Sequence, residues 1–257
     1  QLVKTKQKYG YPKKFDTSWA KNSNETVLDI AGKLKSAEMG SRFDLSVQSL
    51  NSEVQKNIER SNLGINKFQE LVGLARQKQL VATVELILVL PGETFQTWVE
   101  GIYELLEHDN IVIEVNPAQL LKNSALNSKE HVEKFGIKSI DSDFGEWSSH
   151  HVPELAKYII ETKDMSYKDL LKSWQFTWCA RLGHVLGLTN ILLEKLQEKY
   201  DISPRDFYGN WYNYVTTSDG IINEAYTNWN KKYLLENEFV SFTYEFGYLE
   251  KLGNTHR

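Results

Sequence analysis

Residues 42–51 read RFDLSVQSLN, and the side chains alternate along an extended chain: Phe43, Leu45 and Val47 on one side, Asp44, Ser46 and Gln48 on the other. Helices covering such a strand take the apolar set, so the polar set faces the inner surface of the sheet. A packed barrel normally turns branched apolar side chains inward, and buried carboxylates are costly unless paired or hydrogen-bonded. The inner surface is therefore expected to bind something polar. The next extended run, 81–90, is apolar except at Thr83 and Glu85, and the one after it, 111–116, carries Glu114 and Asn116 on one face. A further strand is expected at 14–20. Between these runs lie amphipathic stretches with helical spacing at 24–39, 52–60, 66–79 and 94–107. Their expected caps are Ser23 or Asn24, Asn51 or Ser52, Asn66, and Thr94 with Glu100 following. The order β-α-β-α-β-α-β implies a parallel sheet with helices outside it.

The composition agrees with a soluble globular α/β domain. The chain has 257 residues, 41% of them hydrophobic and 25% charged, which excludes disorder and a collagen-like repeat. That length fits one large domain, or one domain with a substantial appendage. A net charge of −4 provides no global positive field for nucleic acid or anionic lipid. The longest apolar run, near Val84 to Pro91, is about half of what a membrane span needs. A single cysteine, Cys179, excludes an internal disulfide and a cysteine-ligated metal site formed by this stretch alone. A reducing, cytoplasmic setting is expected. The chain starts at Gln1, without an initiator Met or a signal peptide, and is expected to be part of a longer polypeptide. Neither GxGxxG nor GxxxxGK[ST] is present, so the nucleotide loops built on those patterns are not supported.

From about Ser128 the pattern changes to helical stretches: 154–161, 166–188 and 190–200, with a helix start at Ser203-Pro204 and a strand signal only at 238–244. The last quarter is dense in aromatic residues and is expected to pack a helical subdomain. Trp174, Trp178, Arg181 and His184 recur at helical spacing, with Cys179 one step off the stripe. They read either as aromatic packing or as a segment over the sheet's open side, which would leave Arg181, His184 and Cys179 as substrate-side candidates. His150 and His151 are adjacent on the chain and read as loop residues, not as a metal site. Three readings of Glu85 and Glu114 stay open: carboxylates satisfied by neighbouring Lys or Arg, an acid/base pair of a barrel hydrolase, or part of a ligand-binding surface.

SVQSLNSEVQKNIER at 46–60, then ELILVLPGET at 85–94, then VNPAQLLKNSAL at 115–126 recur in an order that resembles the second half of the catalytic domain of radical S-adenosylmethionine enzymes. The likeness is greatest to the cobalamin-associated branch, in which an extended strand like KYGYPKKFDTSWAKN (8–22) comes first. It covers roughly residues 9–145. The resemblance implies a partial (β/α)6 barrel, with this chain supplying the third to sixth strands over residues 1–127. A mainly helical, aromatic-rich extension would follow over 128–257. It also implies a 4Fe-4S cluster held by a CxxxCxxC loop upstream of this chain, which holds no metal of its own and would be inactive alone. Cobalamin, if it is a further cofactor, would bind upstream as well.

By the same resemblance Gln48 reaches the ribose hydroxyls of S-adenosylmethionine, with Ser46 beside it. Arg60 approaches the methionine carboxylate, Glu85 lies near the ribose, and Asn116, followed by Pro117, stands at an adenine or substrate contact. Leu86 to Glu93 corresponds to the family's GxIxGxxE region, which holds adenine; here Val89 stands where many relatives have glycine. The implied chemistry is reductive cleavage of S-adenosylmethionine to a 5′-deoxyadenosyl radical that abstracts hydrogen from substrate. Flavodoxin or ferredoxin would be the electron donor and a small molecule or a modified residue the substrate. The alternatives from other classes are a barrel scaffold or binding protein without a cluster, and a hydrolase using Glu85 and Glu114.

Overall fold

In the computed structural model, residues 1–15, 17, 19, 24–40, 42–60, 65–143 and 155–231 are described. After a short leading helix α1 (Leu2–Tyr9), helix α2 (Glu25–Ser36) begins at Asn24, whose side chain accepts from the Val27 N–H. Strand β1 (Arg42–Gln48) is followed by α3 (Ser52–Asn57) and α4 (Ile65–Gln77), then by β2 (Val81–Leu88), α5 (Phe95–Leu106) and β3 (Ile111–Pro117). The three strands form one parallel sheet in the order β1-β2-β3. Phe43, Leu45 and Val47 are buried, whereas Asp44, Ser46 and Gln48 are half-buried, so β1 turns its apolar side to the helices. Helix α2 packs on β1 and α4 on β2. Each of those fully buried apolar side chains stabilises the fold by about 1.5–3 kcal/mol relative to an exposed one.

Several local expectations are corrected. No strand forms at Lys14, Phe15, Thr17 or Trp19, and the remaining residues of 14–20 lie outside the described residues. Phe15 instead donates its N–H to the Met39 carbonyl (2.8 Å). Asn66 is inside α4, which already begins at Ile65. At α5 the side-chain partner of Thr94 is Thr97, whose hydroxyl closes the capping box back on the Thr94 N–H, and Glu100 pairs elsewhere with Arg205. The expected helix at 154–161 is a strand, β5 (Leu155–Glu161), antiparallel to β4 (Lys138–Asp143), which follows helix α6 (Lys129–Phe135). The apolar spacing of Leu155, Tyr158 and Ile159 imitates a helix. A run of only seven residues containing Tyr158, Ile159 and Ile160 suits a pleated surface better, and a partner strand is at hand. The His150-His151 pair and the 238–244 strand signal lie outside the described residues.

Strand β5 also fixes the chain leaving β3: Ile159 N–H donates to the Ala118 carbonyl (2.9 Å) and Leu120 N–H to the Lys157 carbonyl (2.8 Å). Helix α7 (Tyr167–His184) then packs against α5. It is followed by α8 (Asn190–Tyr200), α9 (Pro204–Thr217) and α10 (Ile221–Trp229). Within α7 every residue from Ser173 to His184 except Gln175 is buried. Trp98 Nε1 donates to Thr177 Oγ1 (2.9 Å), Trp211 Nε1 donates to the Cys179 carbonyl (2.8 Å), and Trp178 stacks on Trp229 with centroids 5.1 Å apart. A methyl group on Gly183 would lie 2.8 Å from Thr189 Oγ1 and 2.9 Å from the Tyr208 ring, so only glycine allows this approach. Among the described residues no helix is long and apolar enough to cross a membrane.

Candidate functional site

The face of the sheet turned away from α2 and α4 is polar across all three strands. Register sets Asp44 beside Thr83 and Val112, Glu85 beside Glu114, and Ile87 beside Asn116. Ser46 Oγ donates to Glu85 Oε2 (2.6 Å), and Arg60 Nη2 donates to the Ser46 carbonyl (3.0 Å). Partial burial lowers the pKa of the Arg60 guanidinium, and the nearby Glu85 charge opposes that shift. Arg42 bridges Asp44 (2.6 Å) and Glu114 (2.8 Å); burial works against its charge, but these two carboxylates hold its pKa above the usual value. Glu114 is thus satisfied by a neighbouring arginine, as the plainest of the three readings expected. At half exposure the Arg42 pairs contribute no more than about 1 kcal/mol each.

Strands β1 and β2 both run into left-handed backbone. Gln48 has φ 68° and sits at the register irregularity that follows Leu45; Val89 has φ 67°. A β-branched residue there is rare and costs on the order of 1–3 kcal/mol. Val89 occupies the position where the resemblance has glycine, and the backbone keeps the conformation a glycine would take without strain. The turn that follows is tied from three sides. Asn57 Nδ2 donates to the Pro91 carbonyl (3.2 Å), Asp164 Oδ2 accepts from the Gly92 N–H (3.0 Å), and the buried Glu93 carboxylate accepts from Ser49 Oγ (2.7 Å) and from Thr97 Oγ1. Burial raises the pKa of the Glu93 carboxyl, with the Thr97, Ser49 and Asn51 hydrogen bonds opposing the shift. Gly92, at φ 90°, is in backbone that side chains rarely adopt, and a Cβ there would displace Asn57 Nδ2, 2.6 Å away, from the turn.

Above these strand ends is a cavity of about 240 Å³. Its walls include the aliphatic side chains of Ile58, Ile87, Leu90, Leu121 and Leu126, and its polar groups include Gln48, Gln119, Ser124 and His131. The carboxyl ends of parallel strands are where open α/β sheets and (β/α) barrels bind ligands. Of the residues expected at S-adenosylmethionine, Gln48 lines this cavity. Ser46, Glu85 and Arg60 form one hydrogen-bonded group on the adjoining face, and Asn116 is exposed on β3 beside Ile87. Gln119 and Ser124 lie within the quoted run 115–126, so their place was open to inference; nothing in the sequence pointed to His131.

The three substrate-side candidates are on α7. None of them lines the cavity, and α7 packs on α5 and α9. Cys179 is fully buried, and burial raises its thiol pKa. Burial lowers the Arg181 guanidinium to about 10, the Glu114 charge opposing the shift. His184 is buried near the start of β3, and burial lowers its pKa against a hydrogen bond to the Ile111 backbone. Among the described residues no three His, Cys, Asp or Glu side chains converge as a metal site. The residues present fit the adenosyl part of S-adenosylmethionine: apolar walls for a flat ring and amide and hydroxyl groups at its edges. They do not fit an iron–sulfur cluster, which needs thiolates that this chain, with one buried cysteine, does not supply.

By sequence the chain is related to cobalamin-dependent radical S-adenosylmethionine methyltransferases. It is 27% identical over 219 residues to the cobalamin-dependent radical SAM methyltransferase TokK of Streptomyces tokunonensis, covering 84% of this chain and 32% of that protein. It is 26% identical over 229 residues to the 2-(S-pantetheinyl)-carbapenam-3-carboxylate methyltransferase of Streptantibioticus cattleyicolor, covering 87% and 34%. The chain thus spans about a third of the length of these curated relatives. No family model matches it. Superposition on the radical S-adenosylmethionine methyltransferase TsrM of Kitasatospora setae, determined with cobalamin and a [4Fe-4S] cluster bound, covers 57% of this chain and 34% of that one. At a TM-score of 0.38 and 14% identity that likeness carries no argument.

Proposed function

We propose that this chain is the part of a cobalamin-dependent radical S-adenosylmethionine methyltransferase that binds the adenosyl group. In this reading β1, β2 and β3 belong to an incomplete (β/α) barrel, and the cluster and cobalamin are held by other parts of the polypeptide. The observation that carries the reading is the cavity at the strand ends, formed by segments of the three quoted motifs. Gln48 is the group for the ribose hydroxyls, since an amide both donates and accepts. Ile87, Leu90 and Leu126 provide apolar surface for the base. Glu85, held by Ser46 and facing Arg60, fixes the polar floor beside the sugar. When bound, the cluster supplies an electron and S-adenosylmethionine the adenosyl and methyl groups. The chain's own residues bind the nucleoside, orient it and exclude water.

The test is anaerobic reconstitution of the complete polypeptide with iron and sulfide, followed by cobalamin, S-adenosylmethionine and a reductant. The expected products are 5′-deoxyadenosine and S-adenosylhomocysteine, both reduced at least tenfold by Gln48→Ala. A polypeptide that binds no cluster and forms neither product is a scaffold, and the proposal is then wrong.

A further inference from the structure

The polar side chains around the cavity are not equally available to a ligand. The Asn57 amide is committed to the Pro91 carbonyl, and the Ser124 hydroxyl donates to the Leu121 carbonyl (2.9 Å). His131 differs. Its Nδ1 lies 2.8 Å from Ser128 Oγ, and the same oxygen accepts from the His131 backbone N–H (3.2 Å). The ring also rests against Phe135, with centroids 5.8 Å apart. With one lone pair of the serine oxygen occupied by that N–H, the hydroxyl proton finds its acceptor within the pair only if Nδ1 is bare. The neutral ring then carries its proton on Nε2. His131 lines the cavity, and with Nδ1 accepting from the Ser128 hydroxyl the neutral ring would offer a ligand its Nε2–H as a donor.

We propose that His131 contacts the ligand, with its Nε2–H donating to a ring nitrogen of the purine. This rests on the adenosyl reading above. The ring nitrogens of adenine that are free of sugar are acceptors, whereas its exocyclic amine is a donor, so a donor-only group pairs with the former. Ser128 is a positioning residue, because it sets which nitrogen of the imidazole bears the proton.

The experiment has two parts. Long-range ¹H–¹⁵N correlation on the chain reads the His131 tautomer directly, and the Nε2–H form is expected; an Nδ1–H ring overturns the proposal without any variant. Calorimetry then compares adenosine with 1-deaza-, 3-deaza- and 7-deazaadenosine on the wild type, His131→Ala and Ser128→Ala. One deaza analogue is expected to bind the wild type about tenfold more weakly than adenosine, the worth of one good hydrogen bond. His131→Ala is expected to lose the same factor for adenosine and to bind that analogue and adenosine equally. Ser128→Ala is expected to show a smaller loss of the same pattern. Unchanged adenosine affinity in His131→Ala, or deaza penalties that persist in full there, contradicts the role of His131 while leaving the adenosyl reading intact. A wild-type chain that binds none of the four nucleosides removes the adenosyl reading, and this inference with it.

Discussion

The open face of the sheet and helix α7 both carry polar side chains among apolar ones, yet the two regions treat them in opposite ways. On β1 the alternation leaves Ser46 and Gln48 half-buried on the face away from α2, where they meet Glu85, Arg60 and the cavity. On α7, Cys179, Arg181 and His184 are enclosed by packing on almost every side of the helix. A strand has two faces and can leave one unfilled, whereas a helix buried all round has no free side. Polar residues of similar type are therefore left accessible in the first place and enclosed in the second.

Truncation of the α7 core should produce the largest effect. Trp174, 1% exposed, is expected to cost about 3–5 kcal/mol of stability as Trp174→Ala. Urea unfolding measures this, and a loss below about 1 kcal/mol would mean that α7 is not part of the core. Ser46→Ala should behave in the opposite manner. It removes one hydrogen bond from Glu85 at a part-buried site, so stability should fall by only about 1 kcal/mol, while adenosine binding should weaken several-fold. A variant with lower stability and unchanged nucleoside affinity would make the two regions alike.

The smallest effect is one of pH. His184 has its pKa lowered from 6.5 chiefly by burial; His108 adds to the shift, and the Ile111 backbone and Asp109 oppose it. As pH falls below 6.5 the unfolded chain takes up a proton that the folded chain refuses. Stability from this group is thus complete above 6.5 and declines as pH falls toward the folded value. Denaturation midpoints of the wild type and His184→Gln should converge over that window. A constant difference between them would show that the imidazole does not titrate differently on folding.

The sheet was legible because strand period and burial coincide. Residues 42–49, 81–90 and 111–116 differ from β1, β2 and β3 by no more than two residues at either end. The helix at 190–200 and the cap at Ser203 were legible for the same reason, since local pattern and chemistry agree there. β5 was not, because apolar side chains at positions one, four and five of its seven residues follow helical spacing, and only the distant β4 decides for a strand. Of the candidate site, Gln48, Ser46 and Glu85 were readable from their face and from the quoted motifs. His131 was not, because its place depends on the path of the chain after β3, which β5 fixes from about forty residues away. The left-handed backbone at Val89 was not legible, because valine gives no local signal for a positive φ.

The central claim is that the strand-end cavity receives the adenosyl group. It is tested most directly by titrating the ¹⁵N- and methyl-labelled chain with 5′-deoxyadenosine and recording chemical-shift changes residue by residue. The account predicts saturable shifts centred on Gln48, Ile87, Leu90, Gln119 and His131, with Cys179 and Leu182 in α7 unmoved. Shifts centred on α7 with a silent cavity, or no saturable change anywhere, would contradict it.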